Sequence, residues 1–173
     1  FADWAFWYCK TGEFISSSYY GTALPTWVDD FNKEKNYLKY SNKGWNLLKS
    51  KEAYNESLPD DNPYEGKLYL KTPFFPYNTK EMVEKNDAGV LRISPYGNNL
   101  INDLAKRAIE KESLGKDTIT DFLALSFSST DYIGHTFGPR SIELQDTYLR
   151  LDETIADFLA YLDLKVGKGN YLV

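Results

Sequence analysis

The sequence contains one cysteine, Cys9, and one histidine, His135, among its 173 residues. A single cysteine cannot form a disulfide within the chain, so cysteine usage does not indicate a redox compartment. A zinc site of several ligands built from this chain alone would consist mostly of carboxylates, which is unusual for zinc. The two scarcities therefore limit the metal chemistry that these residues can support.

Long apolar runs and blocks of basic residues are also absent. The net charge is −5 and Lys and Arg are dispersed, whereas binding to a nucleic acid needs a basic face that displaces counterions from the phosphates. No apolar run approaches the roughly 20 residues that span a bilayer. We therefore expect no nucleic-acid-binding surface and no membrane span.

Aromatic residues, in contrast, are abundant: they make up 16% of the chain, with 14 Tyr, 10 Phe and 4 Trp. They indicate either a densely packed aromatic core, which is the commoner case, or a surface that stacks on ligands. Many of them fall in residues 41–78, where turn clusters predict a loop-rich region and residues 72–76, with two prolines, cannot be a regular helix. A glycan- or peptide-binding module using Trp45 or Tyr64 is therefore an alternative function.

The periodicity of apolar residues predicts an α/β arrangement. Residues 4–8 and 13–16 predict a β-hairpin with Gly12 in its turn, and Pro25 opens a helix. Residues 94–111 predict a second helix, followed by a strand at 122–127 that is buried on both faces. Pro139 opens a long helix that Gly167 ends, and residues 170–173 predict another strand. Alternating helices and strands are typical of a parallel sheet with right-handed crossovers.

Two polar clusters could carry chemistry but have simpler explanations. The serines at 16–18 have no histidine near them in sequence, so we interpret them as a loop rather than as nucleophiles. Asp60 and Asp61 could bind a metal, yet an Asp pair between Pro59 and Pro63 is more often a solvated turn.

The segment that follows the predicted strand 122–127 differs from both clusters. It reads Asp131-Tyr-Ile-Gly134-His135-Thr-Phe-Gly138-Pro139, and open α/β sheets bind ligands beyond the carboxyl ends of their strands. A carboxylate and an imidazole four residues apart can reach one cation if the chain turns tightly, and Gly134 would permit a positive φ there. Zinc accepts this mixed oxygen and nitrogen ligand set. We predict that Asp131 and His135 are metal ligands.

This motif resembles the zinc-ligand motif of the alkaline phosphatase superfamily, and more closely that of the type I phosphodiesterase/nucleotide pyrophosphatase family. Residues 12–20, 126–135 and 146–152 are similar to the periplasmic phosphate-irrepressible alkaline phosphatases of Gram-negative bacteria. The resemblance spans nearly the whole chain and implies an alkaline-phosphatase-like α/β fold. Residues 94–173 would then be part of the catalytic core, and residues 1–93 a hairpin, a helix and a loop-rich insertion on the side of the substrate pocket.

The resemblance implies a hydrolase of phosphate monoesters or diesters with two zinc ions per active site and a covalent phosphoryl-enzyme on Thr or Ser. Only Asp131 and His135 match the family's ligands, and no catalytic residue of the family falls within this chain. Phe1 and the apolar residues 170–173 lead us to expect a segment of a longer protein, and the resemblance implies that this protein is periplasmic or secreted. Alone, the segment would be inactive and, with exposed strand edges, prone to self-association. A sulfatase or a phosphomutase of the same superfamily is a further alternative.

Overall fold

The computed structural model describes residues 2–68 and 74–173. Two strands, two short 3₁₀ turns, six α-helices and one π-helical segment make up its regular structure in those ranges. The strands are β1 (Trp7–Tyr8) and β2 (Phe14–Ile15), and the 3₁₀ turns are Lys51–Tyr54 and Ala88–Ile93. The helices are α1 (Thr26–Lys33), α2 (Asn36–Ser41), α3 (Thr79–Lys85), α4 (Pro95–Lys111), α5 (Ser129–Phe137) and α6 (Ile142–Leu162), which the π-helical segment Asp163–Gly167 continues. Residues 69–73, which include the first two residues of the stretch predicted to be non-helical, lie outside the described residues.

The predicted N-terminal hairpin is confirmed. Tyr8 pairs with Phe14 and Trp7 with Ile15 in antiparallel register. Gly12 supplies the positive φ, +87°, that the turn between the strands requires. Phe14 is buried against the aromatic core, so one face of the hairpin packs on the rest of the molecule.

The helices predicted from Pro25 and from residue 94 are also confirmed. Thr26 begins α1 directly after Pro25, and Val28 and Phe31 form its buried stripe. Pro95 occupies the first turn of α4, where a missing N–H costs nothing. Lys35 adopts a left-handed φ of 50° and separates α1 from the following helix, α2.

The two strands predicted at residues 122–127 and 170–173 are not formed. Within the described residues, the hairpin is the only sheet, and residues 120–127 carry no regular structure. Phe122 is 93% exposed instead of buried on both faces. A strand is stabilised by a ladder of hydrogen bonds to a neighbour, and the described chain offers no neighbouring strand beside either segment.

The second prediction that needs correction concerns residues 129–141. Residues 129–137 form α5 rather than a loop, and Gly138, with a φ of +97°, ends it. The next helix does not begin at Pro139 but at Ile142, because the Ser141 Oγ accepts a hydrogen bond from the Leu144 N–H and caps the helix there. Gly167 lies at the predicted C-terminal end of this long helix.

A single aromatic and aliphatic core connects residues from both halves of the chain, which confirms the commoner interpretation of the aromatic content. Trp45 is fully buried and packs edge-on against Phe75 and Phe137. Among the described residues, every helix is too short or too polar to cross a bilayer.

One buried carboxylate on α6 ties residues 45–54 to the helices. Asp146 is fully buried and accepts hydrogen bonds from the Trp45 Nε1 (2.7 Å), the Leu48 N–H (2.7 Å), the Tyr54 hydroxyl (2.6 Å) and the Arg150 Nε (2.6 Å). The arginine neutralises its charge, and all four donors satisfy its oxygens. Asp146 therefore joins three residues of the loop-rich segment to α6.

Candidate metal centre

Asp131 and His135 lie one turn apart on the same face of α5. The Oδ1 atom of Asp131 is 3.5 Å from the Nε2 atom of His135, and the two side chains are 74% and 79% exposed. Helical residues four apart are neighbours on the helix surface. The structure therefore brings the two predicted ligands together at an open surface.

The donor atoms of this pair fit a shared cation. Two ligands about 2 Å from one tetrahedral zinc ion stand roughly 3.3 Å apart, close to the distance observed. Within residues 2–68 and 74–173, no group of three or more His, Cys, Asp or Glu side chains is arranged to hold a metal ion. The described chain thus offers two candidate ligands at this position.

The backbone between the ligands differs from the one predicted. A tight turn with Gly134 at positive φ was expected, but Gly134 lies inside α5 with helical geometry. The helical repeat alone juxtaposes Asp131 and His135. The residue that needs a positive φ is Gly138, at the end of the helix.

The face of α5 opposite the ligand pair is buried. Ile133 is fully buried and Phe137 is 4% exposed, and both pack into the core. At the end of the helix, the Gly66 N–H donates a 2.8 Å hydrogen bond to the Thr136 carbonyl. These contacts fix the rotation of α5 and direct Asp131 and His135 outward.

A cleft of about 720 Å³ lies in front of the pair. Its walls include three small hydroxyl residues and several apolar or aromatic ones: Ser126, Phe127, Ser128, Thr130, Pro139, Leu144 and Tyr148. The Ser126 and Ser128 hydroxyls lie 2.7 Å apart and share a hydrogen bond. Hydroxyl groups can donate hydrogen bonds to oxyanions, so the cleft combines the two predicted cation ligands with donors suited to an anion.

Two glutamates buried in the interior, Glu65 and Glu143, were not among the candidates that the sequence suggested. Glu143 is fully buried and accepts a 2.7 Å hydrogen bond from the Tyr77 hydroxyl, while its Oε2, like that of the buried Glu65, has no partner among the described residues. Burial raises the pKa of Glu143 to about 8 and that of Glu65 to about 7. Burial also raises the pKa of Asp60, whose carboxylate accepts weakly from the Phe75 N–H, 3.5 Å away.

The other polar and aromatic candidates have structural roles. The Ser16 hydroxyl donates to the Ala5 carbonyl at 2.8 Å, as the loop interpretation implies. Trp45 cannot stack on a ligand, because it is fully buried and bonded to Asp146. Tyr64, 93% exposed, is the one residue of the proposed binding pair that a ligand could reach.

Comparison with known proteins identifies relatives across the whole chain. The model of one protein family, type I phosphodiesterase / nucleotide pyrophosphatase, matches residues 2–173. Alkaline phosphatase PhoV of Synechococcus elongatus is 50% identical over 174 residues, and alkaline phosphatase PafA of Elizabethkingia meningoseptica is 48% identical over 171 residues. A Myroides odoratus protein named calcium-transporting ATPase is 51% identical over 175 residues. These alignments cover 98–99% of this chain and 31–32% of each relative, so the chain spans about a third of their length.

The structural comparison agrees with the sequence comparison. The crystal structure of wild-type alkaline phosphatase PafA superposes with a TM-score of 0.92 at 48% identity, covering 96% of this chain and 32% of that one. The resemblance stated from the sequence is thereby confirmed, and so is the α/β alkaline-phosphatase-like fold class.

Proposed function

Because the chain belongs to the type I phosphodiesterase/nucleotide pyrophosphatase family, we propose that it is part of a hydrolase of phosphate monoesters or diesters. The observation that carries this proposal is the Asp131–His135 pair, with its donor atoms 3.5 Å apart at the edge of an open cleft. Sequence identity of about 50% to two proteins named alkaline phosphatase supports the same assignment.

We propose that Asp131 and His135 ligate one of two zinc ions. Their oxygen and nitrogen donors suit zinc, and their spacing on α5 suits a shared ion. Zinc, when bound, supplies Lewis-acid stabilisation of charge on the phosphoryl oxygens. The contribution of this chain is to hold the two ligands on a rigid helix, and to line the cleft with the hydroxyls of Ser126, Ser128 and Thr130.

The complete reaction needs groups that we assign to parts of the protein outside these 173 residues. The chain spans about a third of its relatives, and we propose that the Thr or Ser nucleophile and the remaining metal ligands belong to the other two thirds. Residues 94–173 would be part of the catalytic core, with residues 1–93 on the side of the substrate pocket. The chain alone would then be inactive, and the complete protein periplasmic or secreted.

The proposal is tested by assaying the complete protein, of the relatives' length, with added zinc. We expect hydrolysis of p-nitrophenyl phosphate, of bis-p-nitrophenyl phosphate, or of both. Asp131→Ala and His135→Ala should each lower kcat/KM by at least about 100-fold, because each removes a metal ligand. Asp152→Ala, at an exposed position on α6, is the matched control and should retain activity.

Three outcomes separate the alternatives. A folded complete protein that hydrolyses neither ester would contradict the proposal. Faster hydrolysis of p-nitrophenyl sulfate would identify a sulfatase. Glycan or peptide binding that is lost in Tyr64→Ala and unaffected by Asp131→Ala would favour the binding module.

A further inference from the structure

The first turn of α5 is bonded to a side chain of α4. Asn98 is 2% exposed, and its Oδ1 accepts a hydrogen bond from the Ser129 N–H at 3.2 Å. Its Nδ2 donates to the Thr130 Oγ1 at 3.3 Å. Ser129 and Thr130 are the two residues directly before Asp131. The Asn98 amide therefore forms hydrogen bonds with both residues that precede the predicted ligand.

Asn98, which lies on α4, caps the N-terminus of α5. The first N–H groups of a helix have no partner within it and are normally satisfied by the side chain of the N-cap residue. The N-cap residue of α5, Ser128, makes no such hydrogen bond. Asn98 satisfies the Ser129 N–H in its place, which fixes the start of α5 relative to α4.

A glycine next to Asn98 permits this close approach. A Cβ atom on Gly97 would lie 2.1 Å from the Ser129 Oγ and 3.1 Å from the Leu91 carbonyl oxygen. A side chain there would require the Ser129 hydroxyl to rotate away and the Leu91 carbonyl to shift. Gly97 leaves room for the Ser129 side chain, and Asn98 forms the hydrogen bonds to Ser129 and Thr130.

The ligand pair has little else to orient it. Asp131 and His135 are both more than 70% exposed, and in the part of the chain that the structure describes neither accepts or donates a hydrogen bond outside the pair. The direction of each side chain is thus set by the α5 backbone. Ile133 and Phe137 fix the rotation of that helix, while Asn98 fixes the position of the turn that carries Asp131.

We propose that Asn98 is a positioning residue for the metal centre: its amide holds the first turn of α5 so that the Asp131 carboxylate and the His135 imidazole face one cation. The inference rests on the proposed function, because it assigns a role to Asn98 only through the ligand pair. Residues that orient metal ligands typically change metal affinity by about 10- to 100-fold when they are removed.

Asn102 provides a matched control on the same helix. It lies one turn after Asn98, is 3% exposed, and donates its Nδ2 to the Asp157 Oδ2 of α6 at 2.9 Å. Asn98→Ala and Asn102→Ala thus remove the same buried amide, one facing α5 and the other facing α6.

The experiment measures zinc affinity of the complete protein by competition with a chelator, and the melting temperature of the metal-free protein. We expect both variants to lower the melting temperature. Only Asn98→Ala should weaken zinc binding, by about 10- to 100-fold. Asn98→Asp should restore most of the affinity, since its carboxylate can accept from both the Ser129 N–H and the Thr130 hydroxyl. It also keeps the test open if Asn98→Ala does not fold.

Unchanged zinc affinity in Asn98→Ala, with Asp131→Ala strongly weakened, would overturn the positioning role and leave the proposed function intact. Unchanged zinc affinity in Asn98→Ala and also in Asp131→Ala would overturn the positioning role and the metal assignment together. Equal weakening by Asn98→Ala and Asn102→Ala would reduce the effect of Asn98 to general stability, and would also overturn the inference.

Discussion

Glu143 carries a carboxyl group that the fold keeps away from water. Burial raises its pKa to about 8, well above the ordinary value of 4.5, and the Tyr77 hydroxyl is its hydrogen-bond donor. In the unfolded chain the same group would ionise near pH 4.5. Between these two values the folded protein holds a proton that the unfolded chain has lost.

The free energy of unfolding should therefore fall as the pH rises from about 4.5 to about 8. The loss attributable to Glu143 is at most about 5 kcal/mol, since one pKa unit corresponds to about 1.4 kcal/mol. Glu143→Gln, which cannot ionise, should flatten this dependence in urea titrations at a series of pH values. Some slope should remain, because burial raises the pKa of Glu65 to about 7.

Glu153→Gln is the control for this measurement, because Glu153 lies on the same helix but its side chain is 56% exposed and pairs with Lys49 at 3.6 Å. Its stability curve should follow that of the wild type. A Glu143→Gln curve as steep as the wild type would mean that Glu143 ionises normally in the folded state.

The sequence gives no local sign of this residue. Glu143 lies two residues after the capping Ser141, where an acidic side chain ordinarily faces water and favours the helix dipole. Its burial depends on Tyr77, which is 66 residues away. Asp131 and His135 were predictable because spacing and motif lie in one short stretch, whereas the buried carboxyls depend on distant packing.

At the scale of the element, α5 shows how a motif can predict that two side chains lie together without predicting the backbone between them. Gly134 and Gly138 both suggest turns, because glycine has a poor helix propensity. The burial of Ile133 and Phe137 stabilises a helix through Gly134 all the same. The spacing of four residues brings Asp131 and His135 together in either backbone conformation.

The two glycines should respond to alanine in opposite directions. A Cβ on Gly134 would meet Leu144 side-chain atoms at 3.6 and 3.9 Å, which is ordinary contact, so Gly134→Ala should raise the free energy of unfolding by about 0.5–1 kcal/mol. Gly138 has open space around it but a φ of +97°. Gly138→Ala should cost about 1–3 kcal/mol through backbone strain.

Urea unfolding of the metal-free protein measures both changes, and each variant serves as the reference for the other. If Gly134→Ala destabilised the protein as much as Gly138→Ala, the tight turn expected from the sequence would describe this segment better than α5 does.

At the scale of the molecule, the segments predicted as strands expose apolar side chains to solvent. Phe122 is 93% exposed, and Ile119, three residues before it and outside the predicted strand, is 75% exposed. The apolar run at residues 122–127 was recognisable in the sequence, but strand formation depends on a neighbour that the described chain does not supply. The local apolar pattern predicts that a segment can form a strand, whereas hydrogen bonding to a neighbouring strand determines whether it does.

These exposed residues should make the isolated chain self-associate. Phe122→Ser should raise the dissociation constant at least about tenfold, which corresponds to about 1.4 kcal/mol and is within the range for burying one Phe side chain. Tyr64→Ser removes an aromatic ring of equal exposure, 93%, from a different region and should have little effect. Sedimentation velocity over a range of concentrations distinguishes the two.

A chain that stayed monomeric at every concentration would contradict this prediction. An equal effect of Phe122→Ser and Tyr64→Ser would indicate association through aromatic side chains in general rather than through residues 119–127.

The carboxylate of Asp146 has a consequence for the order in which the protein becomes structured. Its donors Trp45, Leu48 and Tyr54 are made about 100 residues earlier than Asp146 itself. A ribosome adds roughly 5–20 residues per second, so about 5–20 seconds pass between the synthesis of these donors and the synthesis of Asp146. During that interval the Trp45 indole and the Leu48 amide lack their native acceptor, so residues 45–54 cannot complete their native hydrogen bonds before α6 is made.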